Sequence, residues 1–305
     1  MLRRGLERVE AALIAEASVR GALARRDAGL PHPGDDELLG ARAAELVAAQ
    51  RGDGSWGSEA GELAATAAAL LELSQLEEVL GEGATAPPSV TVAGLAWLRG
   101  RRGAPGRFGA GCAADWHQAG LCHHFLAGFY APVADGAEPE TQVTDSALAL
   151  RASLRWGERG TTADLHLDGL RQVVAHWAWP PDAPLLAARA GLAALATVLE
   201  APQAQANVVC AADGVACLVR TQRADGTWHG AELFDALDTL LLGVAHGFVV
   251  DEVDAALARS AELLALTQKQ NGTWGAAPAG RHPLIAWRTF RHALGQGLAV
   301  AATPA

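Results

Sequence analysis

The sequence predicts an all-α fold, a single (α/α)6 barrel of about twelve helices, from three observations. Half of the 305 residues are hydrophobic, 19% are charged and only one is Tyr, as expected of a helical protein with a large core. Apolar residues recur at the helical period between breaks of Gly and Pro. One short turn sequence occurs three times, and internal repeats of this kind indicate a repeated architecture.

The repeated turn has the pattern Gln-x-x-(Asp/Asn)-Gly-(Ser/Thr)-Trp, and each copy follows a predicted helix. The copies occupy residues 50–56, 222–228 and 268–274. Gly accepts a positive φ, and Asp or Asn can bond the neighbouring backbone, so both suit a tight turn. The Trp is a large anchor whose indole N–H can reach an acceptor. We therefore expect Trp56, Trp228 and Trp274 to occupy equivalent positions, each packed over its own turn.

Periodicity and proline positions divide the chain into twelve helical segments, because proline is costly inside a helix. The predicted spans are 2–28, 35–50, 60–78, 88–101, 112–129, 142–156, 163–178, 183–199, 206–222, 231–246, 252–269 and 282–299. Pairing them gives six hairpins, whose alternate helices would form the inner and outer layers of a closed ring. We expect one domain over 1–305, with 1–30 packing on the barrel or closing it. An open solenoid is the alternative.

Composition also restricts the partners and the compartment. The formal net charge of −10 argues against a broad nucleic-acid surface. No apolar run reaches the roughly 18 residues of a spanning helix, and acidic residues interrupt any N-terminal signal peptide. Four cysteines without paired spacing suggest free thiols in the cytoplasm. The basic N-terminal stretch is interpreted as a solvated helix face, with contact to a membrane surface as the alternative.

The repeats resemble the glutamine–tryptophan motifs of the squalene–hopene cyclase and prenyltransferase superfamily. This resemblance implies an (α/α)6 toroid with a hydrophobic central cavity, an apolar isoprenoid or polyene substrate, and a role in bacterial specialised metabolism. Triterpene cyclases of this type use two such domains with a cavity partly between them, whereas this chain has the length of one. A homodimer or a second protein that completes the cavity is therefore left open. The motif is specific for the fold and not for function, since related toroids occur in polysaccharide lyases and binding domains.

Two segments resemble the Asp-x-Asp-Asp-Thr-Ala motif with which class II terpene cyclases protonate an alkene or epoxide. In segment 142–147, Asp145 stands for the last Asp of the motif, and Thr144 replaces the middle Asp, the proton donor. In segment 234–239, Asp235 and Asp238 stand for the first and last acids, and Leu237 occupies the donor position. Protonation of an alkene requires a neutral carboxyl polarised by its neighbours. The resemblance thus implies acids at these places, with the usual donor missing from both.

In a toroid of this kind, the helix after each repeated turn lines the lumen and begins at one mouth. One acidic stripe follows from the spacing i, i+3 and i+6 of Glu232, Asp235 and Asp238. It is interpreted as a general acid/base, as a site for Mg2+ or a cationic group, or as a solvated helix start. The candidate catalytic residues are Asp235 and Asp238, then Asp145, and Asp115 with His117. Candidate substrate-binding residues near the same mouth are Glu232, Phe234, Trp116, Trp177, Trp179, His282 and Trp287.

No cofactor is expected, and tightly bound zinc is not expected either. The segment from Cys112 to His124 contains Asp, Cys and His, the ligand types of the zinc site in protein prenyltransferases of this superfamily. Those enzymes place Asp and Cys two residues apart, and no Asp-x-Cys occurs in this chain. Asp115 with His117 is better interpreted as an acid/base pair or as a hydrogen bond that holds a loop.

The leading hypothesis is an enzyme that cyclises or isomerises an apolar chain in a central cavity by acid/base catalysis. The first alternative is a non-catalytic barrel that binds a hydrophobic ligand or a partner protein, because both acid segments lack the donor. The second alternative is a carbohydrate-active toroid, which would place paired carboxylates about 5–9 Å apart in a polar cleft.

Overall fold

The computed structural model describes residues 1–57, 62–81, 83–101, 139–177, 186–201, 204–229, 231–248, 250–274 and 281–295. These residues form twelve helices and contain no strand, so the all-α prediction is confirmed for the described part of the chain. The predicted helix 112–129 lies outside it. The helices are α1 Leu2–Ala15, α2 Val19–Asp27, α3 Asp35–Ala49, α4 Glu62–Leu80, α5 Pro88–Gly100, α6 Pro139–Arg155, α7 Thr161–Trp177, α8 Leu186–Leu199, α9 Gln205–Thr221, α10 Leu233–Ala245, α11 Val253–Thr267 and α12 Arg281–Ala293.

The chain divides into two compact units, whose boundaries fall within α3 and α9. The first unit comprises residues 1–42 and 215–305, and the second comprises residues 43–214. In the first unit, α12 packs against α1, α2, α10 and α11, and its Trp287 and Phe290 are fully buried. In the second unit, α6 packs against α4 and α8, around buried leucines such as Leu70, Leu150 and Leu195. Burial of these apolar side chains is the main stabilising term in each unit.

The three repeated turns have the same internal structure, which confirms the prediction of equivalent Trp positions. Each indole N–H donates to the carbonyl ten residues earlier, near the end of the preceding helix. The three N···O distances are 2.7 Å for Trp56 to Leu46, 2.7 Å for Trp228 to Leu218 and 2.9 Å for Trp274 to Leu264. Carbonyls in the last turn of a helix lack an intrahelical partner, so the indole satisfies one of them in every copy. All three rings are buried.

The Gln and Gly of each turn attach it to another helix in the same unit. The amide of Gln50 donates to the carbonyl of Val90 on α5 at 2.8 Å, and that of Gln222 donates to Ala256 on α11 at 3.0 Å. The amide of Gln268 donates to Gly5 on α1 at 3.1 Å. Gly272 has φ +82°, and a Cβ there would lie 2.2 Å from the carbonyl oxygen of Arg8. The third turn therefore binds α1, just as the second turn binds α11.

The segment predicted as one helix over 2–28 is two helices, so that prediction is wrong. The backbone of Ser18 is extended, and its hydroxyl accepts a hydrogen bond from Gly21 N at 3.1 Å, which starts α2. The buried guanidinium of Arg25 donates to Leu13 O at 2.8 Å and to Glu16 O, and it pairs with Asp35. These bonds satisfy the open end of α1 and fix the corner, a tertiary arrangement that periodicity does not reveal.

Within the described ranges, no helix has the length and apolar character needed to cross a membrane.

Candidate functional site

The predicted site residues fall into both units and partly outside the described chain. Asp115, Trp116, His117 and Trp179 lie outside the described residues, and Trp177 is the last residue of α7 with no description of its side chain. Asp145 lies on α6 in the second unit. The first unit holds the others, at the start of α10 and on α12: Glu232, Phe234, Asp235, Asp238, His282 and Trp287.

The predicted acidic stripe exists on α10, and its three members differ in burial. Glu232 is the N-cap residue of the helix and is exposed, and its side chain makes no capping hydrogen bond. Asp235 and Asp238 follow on the same face and are half-buried. Leu237, in the position of the missing donor, is fully buried in the core. The stripe therefore begins with one exposed carboxylate at the helix start and continues with two half-buried ones.

Phe234 and His282 contact each other directly. Their rings are stacked with centroids 4.0 Å apart and planes 4° from parallel, and the edge of Trp274 meets Phe234 at 5.8 Å. Phe234 begins α10 and His282 begins α12, the helices that follow the second and third repeated turns. Two predicted substrate-binding residues are thus adjacent.

Trp287 lies in the core of the first unit. Its side chain is 1% exposed, its indole N–H donates to the Glu10 carboxylate of α1 at 3.2 Å, and the guanidinium of Arg291 lies 4.7 Å from its ring. Packing between α12 and α1 accounts for this burial. Its predicted contact with a substrate stays a prediction.

The charge of Asp238 acts on a pair of residues that no sequence motif marks, Asp27 and Arg288. Arg288 on α12 donates to the carboxylate of Asp27, the last residue of α2. Burial raises the pKa of Asp27; the charge and hydrogen bond of Arg288 oppose the rise, and the nearby charge of Asp238 adds to it. Asp27 and Arg288 lay inside predicted helices without any motif, so only the packing of α2 on α12 reveals them.

Asp145 occupies a comparable environment on α6 in the second unit. Burial raises its pKa, and the charge of Arg189 on α8 opposes the rise. The hydroxyl of the next residue, Ser146, is buried without a hydrogen-bond partner among the described residues. A half-buried carboxyl of this kind keeps its proton to higher pH than an exposed one, which a general acid requires.

The described residues offer little to a metal ion. They contain no group of three or more His, Cys, Asp or Glu side chains placed to bind one. Burial raises the pKa of Cys210 to about 11 and also raises that of Cys217, which disfavours the thiolates that zinc requires. The expectation about zinc and Mg2+ remains a prediction, because the segment 112–124 lies outside the described residues.

A separate cavity of about 680 Å3 lies in the second unit between α7 and α9. No predicted site residue lines it. Its one lining guanidinium, Arg171, donates to Asn207 Oδ1 at 2.6 Å and to Asp168 Oδ1 at 2.9 Å. The lining residues are Arg171, Val174, Ala175, Gln205, Ala206, Val209, Cys210 and Asp213.

Comparison with known proteins supports the fold through structure. No protein-family model matches the chain, and no curated protein matches it significantly. The chain is similar to the apo structure of the type II terpene cyclase MstE from Scytonema, with a TM-score of 0.54, 19% identity, and coverage of 90% of this chain and 82% of that one. It is also similar to a variant of MstE in complex with its substrate geranylgeranyl dihydroxybenzoate, with a TM-score of 0.56, 16% identity, and coverage of 97% and 96%.

This likeness bears on the fold. The chain has a terpenoid-cyclase-like fold, and the predicted class, an all-α (α/α)6 barrel, is confirmed. In the second of these comparisons the likeness extends over nearly the whole of both chains.

Proposed function

We propose that this chain is a terpenoid-cyclase-like enzyme that binds an apolar isoprenoid or polyene chain and cyclises or isomerises it by protonating a carbon–carbon double bond. Support comes from the fold it shares with a cyclase whose substrate carries a geranylgeranyl chain. A shared fold at this level of identity leaves the chemistry to the site.

The observation that carries the proposal is the half-buried carboxyl of Asp145 on α6. This carboxyl lies in the segment that resembles the acid motif of class II cyclases, and burial favours its neutral form. Protonation of an alkene transfers the carboxyl proton to one carbon while the π electron pair forms the new C–H bond. The cation left on the other carbon is attacked by the next double bond, and loss of a proton from carbon at the end restores the acid. Substrate and product are therefore isomers, and no cofactor is needed.

The test is turnover of geranylgeranyl dihydroxybenzoate, with mass spectrometry of the products. We expect an isomeric product from the wild-type protein and a loss of at least about 100-fold in rate for Asp145→Asn, the usual size of a general-acid contribution. The matched control is Asp164→Asn, which changes an exposed carboxylate in the first turn of α7 and should leave the rate unchanged. Full activity of Asp145→Asn would exclude this carboxyl as the acid.

A non-catalytic barrel that binds a hydrophobic ligand is the second candidate. It is favoured by Thr144 and Leu237, which stand at the donor positions of the two acid-like segments. Saturable binding of the same compound without any product, over the whole pH range in which the protein is folded, would support this candidate and refute the enzymatic one.

A further inference from the structure

A buried carboxylate in the second unit lies between two guanidiniums. Glu62 is the first residue of α4, and its side chain is 6% exposed. Arg51 in the first repeated turn donates to one carboxylate oxygen of Glu62 and also to Gly57 O at 3.2 Å. Arg101, the residue after α5, lies 3.6 Å from the other carboxylate oxygen. Arg51, Glu62 and Arg101 thus form one arginine cluster, built from three separate parts of the chain.

Both guanidiniums of the arginine cluster are accessible, although the carboxylate between them is not. The side chains of Arg51 and Arg101 are 45% and 42% exposed. The guanidinium of Arg101 lies 4.8 Å from the centre of the buried Trp97 ring, and this contact favours one position of the charge. A separation of 3.6 Å is longer than a hydrogen bond, so the ion pair with Glu62 leaves Arg101 able to donate to another oxyanion.

The cluster belongs to the first repeated turn and has no counterpart in the second. The position of Arg51 is taken by Arg223 in the second turn, so the cation itself is repeated. Six residues after the Trp, however, the first copy has Glu62 and the second has Phe234. The start of α4 is therefore charged where the start of α10 is aromatic. Stability of the turn does not require this difference, because both turns make the same indole hydrogen bond.

The net charge of the cluster indicates which anion it fits. Two guanidiniums and one ionised carboxylate leave a single positive charge at the surface. A carboxylate carries one negative charge, whereas a diphosphate carries two or more. A guanidinium also matches a carboxylate geometrically, since two parallel N–H···O bonds can form. The cluster is therefore suited to a monovalent carboxylate.

The arginine cluster and Asp145 lie towards the same end of a helix pair. α4 packs against α6, and Arg155 at the end of α6 donates to Glu78 near the end of α4 at 2.5 Å. The two helices therefore run parallel, with their starts at the same end. Glu62 begins α4, and Asp145 lies on the second turn of α6. A ligand held by the cluster can extend along these helices towards the proposed acid.

We infer that Arg51 and Arg101 bind a carboxylate at the head of the substrate, and that Glu62 positions both guanidiniums. The inference rests on the proposed function and names its substrate class, an isoprenoid chain with one carboxylate at its end. The cluster contributes binding and orientation, because no bond of the head group changes in the reaction. The charged head stays at the accessible cluster while the apolar chain lies along the helices.

The first arm of the test measures binding in Asp145→Asn, so that turnover does not interfere. Isothermal titration calorimetry compares geranylgeranyl dihydroxybenzoate with its methyl ester, which keeps the chain and loses the charge. We expect the acid to bind at least about 10-fold more tightly than the ester, as for other hydrogen bonds to charged groups. Adding Arg51→Gln or Arg101→Gln should weaken binding of the acid about 10-fold and leave binding of the ester unchanged.

The matched control for this arm is Arg223→Gln, which changes the equivalent arginine of the second repeated turn and should alter neither affinity. Equal affinity for acid and ester, equal weakening of both ligands by the arginine variants, or no binding of either compound would overturn the inference. Competition with benzoate and with inorganic pyrophosphate tests the charge argument. Displacement of the acid by pyrophosphate at lower concentration than by benzoate would refute a carboxylate site.

The second arm measures turnover in the otherwise unchanged protein. Arg101→Gln should raise KM for the acid about 10-fold and leave kcat within about 2-fold, because the head group is bound equally in the ground and transition states. Arg101→Lys, which keeps the charge, should recover part of this loss. Turnover of acid and ester with equal KM would refute the head-group site and leave the proposed function intact. Charge-dependent binding without any product from the wild-type protein would refute the proposed function and leave the site.

Discussion

Trp228→Ala tests the account of the repeated turns through the free energy of unfolding. The ring is 6% exposed, and a buried Trp removes roughly 150–250 Å2 from water, which at about 25 cal/mol per Å2 corresponds to about 4–6 kcal/mol. The Ala that replaces it retains some burial, so the expected loss is about 3–5 kcal/mol. Urea unfolding followed by far-UV circular dichroism measures this loss directly.

Trp228→Phe separates packing from hydrogen bonding at the same position. Phe keeps most of the apolar area but cannot donate to the carbonyl of Leu218, now bonded at 2.7 Å, and we expect a loss of about 1–2 kcal/mol. Because the three turns have the same hydrogen bonds, Trp56→Ala and Trp274→Ala should cost the same as Trp228→Ala within about 1 kcal/mol. A cost below about 1 kcal/mol for Trp228→Ala would refute the anchoring role of the ring.

Three further predictions concern other parts of the molecule. Burial would raise the pKa of Glu200, but the charges and hydrogen bonds of two arginines on α6 lower it from 4.5 to about 2. The ionised carboxylate should therefore stabilise the protein by about 3 kcal/mol above pH 4.5, and this stabilisation is lost as the pH falls towards 2. Denaturation of the wild-type protein and of Glu200→Gln over this pH range measures it. Gly272→Ala should lower the melting temperature further than Gly295→Ala, by the equivalent of at least about 1 kcal/mol, because both have positive φ but only Gly272 lies against a backbone carbonyl; equal shifts would contradict this reasoning. Cys210, whose pKa is raised to about 11, should react with iodoacetamide at neutral pH roughly 100-fold more slowly than an exposed cysteine, and peptide mass spectrometry showing rapid labelling would refute the raised pKa.

The sequence predicted the elements whose cause is local. The repeated turns were identifiable because Gln, Gly and Trp each carry one fixed role within seven residues, and the structure confirms all three copies. The boundaries of α5 were predicted well, with 88–101 expected and Pro88–Gly100 observed, whereas the last helix was predicted to reach residue 299 and ends at Ala293. The break between α1 and α2 was missed. The guanidinium of Arg25 stabilises it by donating to the carbonyls of Leu13 and Glu16, and a bond over twelve or nine residues leaves no trace in the helical period.

The candidate site was only partly predictable for the same reason. The stripe containing Asp238 follows from spacing along one helix, and the contact of Phe234 with His282 follows from the equivalent starts of α10 and α12. Asp27 and Arg288 are ordinary residues of their own helices. They become part of the site only because α2 packs against α12, a contact that no local pattern encodes.

The most direct test of the central claim is incubation of the protein with geranylgeranyl dihydroxybenzoate in deuterated water, followed by mass spectrometry and NMR of the product. Protonation of a double bond by a carboxyl that exchanges with solvent predicts an isomer of the substrate carrying one deuterium on carbon, at the position where the reaction began. A product without deuterium on carbon, or one that has lost part of the substrate, would contradict an acid-initiated cyclisation or isomerisation.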